Sequence, residues 1–509
     1  MTETRKTDHS AKPVMIPIGL PDLDKEFEGT IFSPEAVRAI LGYASRQLVR
    51  IRHEQAYAHK GMKVAKPDVP AVALSSNVIR KLAGRKSALY MRMLSERGWL
   101  TPIKKEGNVR GSYWPGEKYI SYRFGTHVLK KKGADKRKFR REYISDNWTL
   151  DKIEEVRVAA NTILNKRRTV AASNDEVVKK IWEFSDMVRL NTKAIKVDEQ
   201  NRTIGKQEGL ELSVIADDVN GGEYRTYKND EFGHRIFNVA TNLPKRARRY
   251  MYFEGHEDED LIVLDVANSQ PYLMSLILKD AETCLRFIPE FEPLLKKIKA
   301  LNVPDKTLFH KHCADGKVYE NWLLMRGEIE SINIVAEEKR DKVKDAFMSF
   351  LFSAPGKHGW GHKFWLIEKK EEIDNAFSNT YNDVYVLVQE IKTVPQMLLP
   401  FMEKHYQEKR EEHISEGKPQ HKSYAYINMP AMMQRLEAAF LRIISKRMID
   451  ASIGPFTTVH DSWILLGRHV DEAEQIVKEF FADLGFQPPQ LKRKACIRRS
   501  NSQDNDVHS

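Results

Sequence analysis

The stretch from Leu261 to Pro271, LIVLDVANSQP, decides the fold of this chain. Its opening residues are apolar and partly β-branched, which predicts a buried strand with Asp265 at its end. The polar residues that follow, Asn268 to Gln270, predict a turn into a helix over 272–278. A strand that ends in a carboxylate and leads into a helix indicates a candidate catalytic or binding site at the edge of a sheet.

A second carboxylate stands in the stretch from Phe456 to Leu466, FTTVHDSWILL. Two apolar runs flank His460 and Asp461, which predicts a hairpin with a carboxylate at its tip. If this hairpin joins the sheet of the first strand, Asp265 and Asp461 meet there. Together they suit two divalent cations ~3.5–4 Å apart, an arrangement that activates a 3′-hydroxyl and stabilises a leaving pyrophosphate.

A segment between these two carries a stripe that runs from basic to aromatic. Arg340, Lys344, Met348 and Phe352 recur at every fourth position, so they share one helix face. The cationic end and the aromatic end match the polarity of a nucleoside triphosphate. The alternative for this stripe is an amphipathic helix with a core face and a charged rim. The alternative for each aspartate is a cap or turn residue.

The order of the three segments resembles motifs A, B and C of the single-subunit polymerase superfamily, which joins phage-type RNA polymerases and family A DNA polymerases. The resemblance covers roughly 235–466 and implies that Asp265 and Asp461 hold two Mg²⁺ ions, with Mn²⁺ as a substitute. It implies catalytic or nucleotide-binding roles for Arg340, Lys344, Met348, Phe352 and Gln270. It places template or primer contacts on Arg235, Arg246, Arg249, Gln434 and His460.

The activity that this resemblance implies is template-directed addition of nucleoside monophosphates to a 3′-hydroxyl. The expected partners are a DNA template, the nascent nucleic acid and nucleoside triphosphates. Met348 and Ser462 are closer to the phage-type pattern, which favours a DNA-directed RNA polymerase or a primase-like enzyme. A family A-like DNA polymerase of a phage or mobile element is the alternative, and a non-catalytic nucleic-acid-binding factor is the second. Relatives have Tyr-Gly where this chain has Phe352-Ser353, so we expect a looser choice between ribose and deoxyribose.

The organisation of the chain predicts an α+β protein. Residues 74–124 follow the order helix, turn, helix and two strands, which looks like a winged helix. The alternative is a small packing domain whose basic face is only solvated. One side of this region would carry Arg80, Lys81, Arg85, Lys86 and Arg92. With the resemblance, the expected parts are a flexible arm at 1–30, a winged-helix-like nucleic-acid-binding domain at 31–129, a helical thumb-like region at 130–230, the palm and fingers of a right-hand fold at 231–487, and a basic, disordered tail at 488–509.

Composition narrows the class of protein further. The 509 residues include 83 Lys and Arg against 71 Asp and Glu, a net charge of +12 that suits a polyanionic partner. Cys284, Cys313 and Cys496 are too few for a disulfide framework, which predicts the reducing cytoplasm of a bacterial or virus-infected cell. No apolar run approaches the ~20 residues of a membrane span, so no membrane partner is expected, and a monomer is assumed. His310 and His312 lack a fourth zinc ligand nearby, which favours a solvated loop or helix.

Overall fold

The structure, a computed structural model, describes most of the chain. The described residues are 12–58, 72–102, 119–129, 139–156, 158, 175–222, 227–300, 306–325, 327, 329–332, 337–352, 381–393 and 428–496. Among them, no helix is both long and apolar enough to cross a lipid bilayer. Helices and strands are mixed along the chain, which confirms the mixed helix and strand content that the sequence predicts.

The strands are short, and most helices span two to four turns. The strands are β1 Lys12–Pro17, β2 Val72–Ser75, β3 Leu100–Pro102, β4 Tyr119–Phe124, β5 Phe139–Ile144, β6 Val188–Leu190, β7 Lys228–Asn229, β8 Ile236–Phe237, β9 Met251–Phe253, β10 Leu261–Val266, β11 Phe456–Val459, β12 Ser462–Leu466 and β13 Leu491–Ala495. The helices are α1 Leu23–Phe27, α2 Pro34–Ala58, α3 Ser76–Ala83, α4 Ser87–Glu96, α5 Glu176–Asp186, α6 Thr192–Gln200, α7 Lys206–Asn220, α8 Val239–Asn242, α9 Lys245–Arg248, α10 Ser269–Lys279, α11 Ala281–Leu285, α12 Glu292–Ala300, α13 Lys306–Ala314, α14 Val318–Met325, α15 Glu337–Phe352, α16 Asn382–Thr393, α17 Asn428–Asp450 and α18 Val470–Asp483.

The central sheet is antiparallel and has the strand order β11-β12-β10-β13. The predicted strand around Asp265 and the predicted hairpin around Asp461 are therefore neighbours in one sheet. Alternating residues of β12 enter different cores, since Trp463 belongs to one hydrophobic cluster and Ile464 to another. Burial on both faces explains why the strand is apolar throughout rather than alternating with polar residues.

Two hydrophobic clusters cover the faces of this sheet. The first contains residues of α10, α17 and α18, such as Tyr272, Leu436 and Phe481. The second reaches from the N-terminal part of the chain, for example Met15 and Leu94, to residues of α7 and β9. The central sheet thus joins the N-terminal part of the molecule to the helices that follow β10.

The predicted order of two helices followed by two strands is present in residues 74–124. Helices α3 and α4 precede β3 and β4, and β2 completes a sheet of order β2-β4-β3. The expected basic side chains are exposed at Arg80, Arg85, Lys86 and Arg92, and half-buried at Lys81. The assignment of this region as a nucleic-acid-binding winged helix stays a prediction.

The flexible arm predicted for residues 1–30 is wrong where the structure describes it. Strand β1 pairs along its whole length with β5, and Met15, Leu23 and Phe27 are buried. The apolar run VMIPIGL provides the physical reason, because it gains more from burial than a solvated arm would.

The thumb-like helical region predicted at 130–230 is not one helical unit. Within it β5 pairs with the N-terminal β1 and β6 pairs with β9, while α5 packs against the central sheet through Trp182 and its neighbours. The charge run KKKGADKRKFRR is typical of a linker, yet its last residues form β5. Arg140 there is neutralised by Glu142, so the charged residues fit a strand. Residues 130–138 lie outside the described residues.

The disordered tail predicted from residue 488 is wrong for residues 488–496. Strand β13 adds to the free edge of β10, with Leu491 opposite Val266 and Ala495 opposite Ile262. The Gln490 amide also donates to the Ala314 carbonyl at 2.7 Å. An open sheet edge offers a full row of backbone partners, which outweighs the high charge of this segment. Residues 497–509 lie outside the described part.

Candidate active site

The central sheet brings the two strand-end aspartates together. Asp265 lies opposite Ser462 in the β10–β12 pair, and Asp461 precedes Ser462 in the hairpin turn. His460 occupies the first turn position with φ 56°, a left-handed conformation that short hairpin turns require. The Ser462 hydroxyl donates to the Val459 carbonyl at 2.8 Å and so fixes the turn.

The carboxyl of Asp461 is in an unfavourable place for a negative charge. Its burial, together with the negative charges of Glu437 and Asp265, raises its pKa to about 7. A cavity of about 30 Å³ beside it is lined mostly by apolar atoms, with Trp463 among the lining residues. The positive charge of Arg235 offsets this rise in pKa only in part, so a bound cation would stabilise the charged carboxylate of Asp461.

Helix α17 supplies a third carboxylate beneath the hairpin, that of Glu437. Its Oε1 accepts from Arg235 Nε at 2.8 Å, and its Oε2 accepts from the Gln270 amide and, at 3.5 Å, from the Ser269 hydroxyl. Burial raises the pKa of Glu437, while the Arg235 guanidinium opposes the rise. This network ties the hairpin, the loop after β10 and the segment of Arg235 to one buried group.

Helix α15 reaches the loop after β10 through Arg340. Arg340 Nε donates to Glu320 Oε1 at 2.7 Å, and Nη2 donates to Asn268 Oδ1 at 3.2 Å. The guanidinium also lies over the ring of Tyr319, 5.3 Å from its centroid. The first residue of the basic-to-aromatic stripe is therefore beside the end of β10, as the prediction for Arg340 requires.

Four polar atoms around this site are buried without a hydrogen-bond partner among the described residues. They are Asn268 Nδ2, Gln270 Oε1, Glu320 Oε2 and His460 Nδ1. Buried polar atoms in folded proteins almost always have partners, so an orphaned group requires an explanation. These four atoms come from three separate segments near Asp265 and Asp461, so they are available to hydrogen-bond with ordered water or a polar ligand.

His460 is neutral at physiological pH. Its burial and the positive charges of Arg235 and Arg248 lower its pKa to about 4. Its ring meets that of Phe237 edge to face, with 6.1 Å between the centroids. A neutral ring can accept or donate a hydrogen bond but cannot attract a phosphate by charge.

The remaining residues of the stripe differ in their exposure. The buried face of α15 is formed by Val343, Phe347 and Leu351, each one position before a stripe residue from Lys344 onward. Lys344 is exposed and Met348 is half-buried. Phe352 is half-buried and packs against the first hydrophobic cluster. Lys344 therefore fits either a nucleotide-binding residue or the charged rim of an amphipathic helix. Phe352 has at least a packing role.

Besides Arg235, which is paired with Glu437, three of the predicted template or primer residues have other partners within the chain. Arg246 is paired with Glu211 at 2.5 Å, and Arg249 with Asp198 at 3.2 Å. Gln434 packs against Gly233. Their contacts with nucleic acid stay predictions, and the first two would have to exchange an existing ion pair for a phosphate.

The two histidines considered as zinc ligands lie on α13, and His310 is buried rather than solvated. Its Nδ1 is 2.9 Å from the Ser275 hydroxyl, and the Nδ1 of His312 is 2.8 Å from the Tyr381 hydroxyl. Burial lowers the pKa of both rings. These contacts give each histidine a structural role, and the expectation of a solvated segment is corrected for His310.

The donor chemistry of the site suits a hard divalent cation. Asp265 and Asp461 provide carboxylate oxygens from adjacent strands, which are the ligands that Mg²⁺ prefers. Across the described part of the chain, no group of three or more His, Cys, Asp or Glu side chains is arranged to hold a metal ion. Substrate phosphates and water complete the coordination of Mg²⁺ in many sites with one or two protein carboxylates.

Several site residues escaped sequence reasoning. Glu320, Glu437 and Lys492 become neighbours of the aspartates only through tertiary packing. Glu437 stands in the stretch MMQRLEAAF beside Gln434 and Arg435, so its charge alone gave little signal of a buried role. Lys492 lay in a segment whose charge density predicted disorder, so its position beside Asp265 had no local signal.

Comparison with known proteins finds structural likenesses but no sequence relative. No protein-family model and no curated protein matches the chain. Among solved structures, the chain resembles the POL domain of Pol1 from M. smegmatis, solved in complex with DNA primer-template and dNTP, at 10% identity and a TM-score of 0.36. The likeness covers 68% of this chain and 65% of that one. The chain therefore matches a little less than two thirds of the length of that domain.

Proposed function

We propose that this chain is a template-directed nucleotidyltransferase that adds nucleoside monophosphates to a 3′-hydroxyl. The observation that supports the proposal most is the meeting of Asp265 and Asp461 at the end of one sheet, where the pKa of Asp461 is raised to about 7. Such a pair is costly for a fold to keep without a function, because two neighbouring carboxylates repel each other.

Asp265 and Asp461 would hold two divalent cations, Mg²⁺ first. When bound, such ions lower the pKa of an attacking hydroxyl and stabilise a leaving pyrophosphate. Glu437, held by Arg235 and Gln270, keeps the hairpin and the loop after β10 in register. Its buried negative charge also favours retention of cations beside Asp461.

The cationic groups of α15 would position the nucleotide. Arg340 is fixed by Glu320 and Asn268 at the end of β10, where the phosphates of a nucleotide would lie. Lys344 is exposed one turn further along the same face, where its side chain can follow a triphosphate. The orphaned Asn268 and Gln270 atoms would hydrogen-bond to the sugar or base.

For the product we propose RNA, on a DNA template. Met348 and Ser462 support this, because the resemblance to phage-type RNA polymerases rests on those residues. Ser462 is turned inward to Val459, so its effect on the product would act through the shape of the turn. DNA synthesis is the competing outcome, and the exposed basic residues of α3 and α4 would hold the template in either case.

The experiment is incorporation of labelled nucleotides by the full-length chain in Mg²⁺ on single-stranded DNA, with and without a primer. Separate reactions contain ribonucleoside or deoxyribonucleoside triphosphates. RNA made with or without a primer supports the full proposal, while DNA alone assigns the enzyme to DNA synthesis. No incorporation under any condition, together with intact DNA binding, would identify a non-catalytic factor and contradict the proposal.

A further inference from the structure

Strand β13 presents two lysines on the face of the sheet that carries Asp265. Lys492 is the direct cross-strand partner of Asp265, and Lys494 follows two positions later, so both share its face. Lys494 Nζ is 3.3 Å from Asp265 Oδ2. The strand is anchored on its N-terminal side, because the Ala267 amide donates to the Gln490 carbonyl at 2.9 Å. The position of the lysines is therefore set by backbone pairing.

Lys492 lies among the charged groups of the candidate site. It is half-buried, whereas Lys494 is exposed. Burial and the positive charges of Arg340 and Lys494 lower the pKa of Lys492, while Glu320 and Asp265 oppose that effect. Lys492 is thus close enough to Arg340 for their charges to interact, and Arg340 itself contacts Asn268 in the loop after β10.

The cations of this site differ in their partners. Lys494 is paired with Asp265, and Arg340 with Glu320. The Lys492 ammonium forms no salt bridge or side-chain hydrogen bond with the residues that the structure describes. A half-buried ammonium without a fixed partner is costly unless a ligand supplies the negative charge. Phosphate oxygens are a suitable ligand for a lysine ammonium.

We propose that Lys492 binds the phosphates of the incoming nucleotide and, with Arg340, forms a cationic pair on both sides of the β10 end. The inference rests on the proposed function and adds the C-terminal strand to the nucleotide site. A nucleoside triphosphate would thus be bound by groups from α15 and from β13. A nucleoside without phosphates would gain nothing from Lys492.

The strand provides a matched control in Arg493. This residue has the same charge but faces the opposite side of the sheet, where it is paired with Asp471 at 2.7 Å and with Glu474 at 2.7 Å. Replacing Arg493 removes one positive charge from β13 without changing the face that carries Asp265. If Lys492→Met and Arg493→Met differ in ATP binding, the difference must come from the position of the lost charge, because both variants lose the same net charge.

The test uses full-length wild type, Lys492→Met, Lys492→Arg and Arg493→Met. Binding of ATP and of adenosine in Mg²⁺ is measured by calorimetry, and kcat and KM for nucleoside triphosphates are measured where incorporation occurs. Lys492→Met should weaken ATP binding and raise KM by roughly tenfold, as expected for one charge-assisted hydrogen bond, and should leave adenosine binding unchanged. Lys492→Arg should recover most of the affinity, and Arg493→Met should stay within about twofold of wild type.

Equal behaviour of Lys492→Met and Arg493→Met would overturn the assignment of Lys492, even if wild type incorporates nucleotides normally. Failure of the proposed function has a different signature, since wild type itself would then incorporate nothing. If an inactive wild type still binds ATP through Lys492, the phosphate site stands without the polymerase activity. If it binds no ATP, both proposals are wrong. Melting temperatures of all variants show whether any weaker binding comes from unfolding.

Discussion

Asp265 and Ser462 are direct cross-strand partners, so the end of β10 and the turn that carries Asp461 lie side by side. This relationship turns two separate sequence motifs into one acidic site. The site is completed by Glu437 from α17, Arg340 from α15 and Lys492 from β13, which the sheet and its flanking helices bring together.

The first prediction concerns stability and pH at Asp461. The folded pKa of about 7 is above the ordinary 3.8, so the folded state binds more protons than the unfolded state between those values. Stability should therefore fall as the pH rises through this window. Asp461→Asn should remove that cost and stabilise the chain above pH 7, by on the order of 1–3 kcal/mol, without a gain at pH 4.

The measurement is the melting temperature from pH 4 to 9 in EDTA. Asp471→Asn is the control, since Asp471 is an exposed aspartate of the same region. If the melting temperatures of wild type and Asp461→Asn changed with pH in the same way, the raised pKa of Asp461 would be contradicted. Adding Mg²⁺ at pH 7.5 should stabilise wild type and leave Asp461→Asn nearly unchanged.

The second prediction concerns the buried pair of Arg235 and Glu437. Arg235→Met should destabilise the fold by about 3 kcal/mol, because it leaves the Glu437 carboxylate buried without its counter-charge. Arg235→Met with Glu437→Gln should recover part of that stability. Denaturant unfolding of both single variants and the double variant gives the coupling energy. Simple additivity of the two changes would show that the pair does not hold the hairpin.

The third prediction concerns nucleic-acid binding by the exposed face of α3 and α4. Replacing Arg80, Arg85 and Arg92 by Ala should weaken binding of single- and double-stranded DNA without changing sequence preference. The slope of log K against log salt should fall by about one for each phosphate that the variant no longer binds. Lys296 and Lys299 on α12 provide an exposed control pair. An unchanged salt slope would show that these residues bind no phosphates and would favour the packing-domain alternative.

Those binding experiments need the full-length chain. The second hydrophobic cluster joins residues such as Leu94 to Leu212 and Met251, far outside the N-terminal region. A fragment of residues 1–145 would lack Leu212, Met251 and their neighbours, so its failure to bind would not separate misfolding from absence of a site.

The fourth prediction concerns sugar choice at Phe352. A phenyl ring gives stacking area but no hydroxyl, so Phe352→Tyr should sharpen discrimination between ribonucleotides and deoxyribonucleotides by ~1 kcal/mol. Lys344→Ala should instead reduce the use of both sugars alike. The measurement is the ratio of kcat/KM for the two sugars. An unchanged ratio with a lower melting temperature would show that Phe352 acts only in packing against the core.

Local sequence was a good guide to the strands that carry Asp265 and Asp461. The β-branched runs around Asp265 and Asp461 predicted a strand and a hairpin, and the structure places both as expected. These elements are decided by periodicity and turn chemistry within a short window of sequence.

The N- and C-terminal strands were missed because their pairing is entirely non-local. Strand β1 is stabilised by β5, and β13 by β10, each across more than a hundred residues. Charge density suggested linkers and tails, but an open sheet edge supplies hydrogen bonds that composition does not reveal. The partners of Glu437 and the position of Lys492 beside Asp265 depend on the same non-local packing.

The most direct test of the central claim is nucleotide incorporation in Mg²⁺ by wild type, Asp265→Asn, Asp461→Asn and the control Asp471→Asn, with DNA binding and melting temperature measured on the same samples. We expect either site variant to reduce synthesis by about 10³-fold or more while it binds DNA and folds as wild type does, and the control to stay active. Synthesis near the wild-type rate by either Asp265→Asn or Asp461→Asn would contradict the assignment of these residues as the catalytic pair.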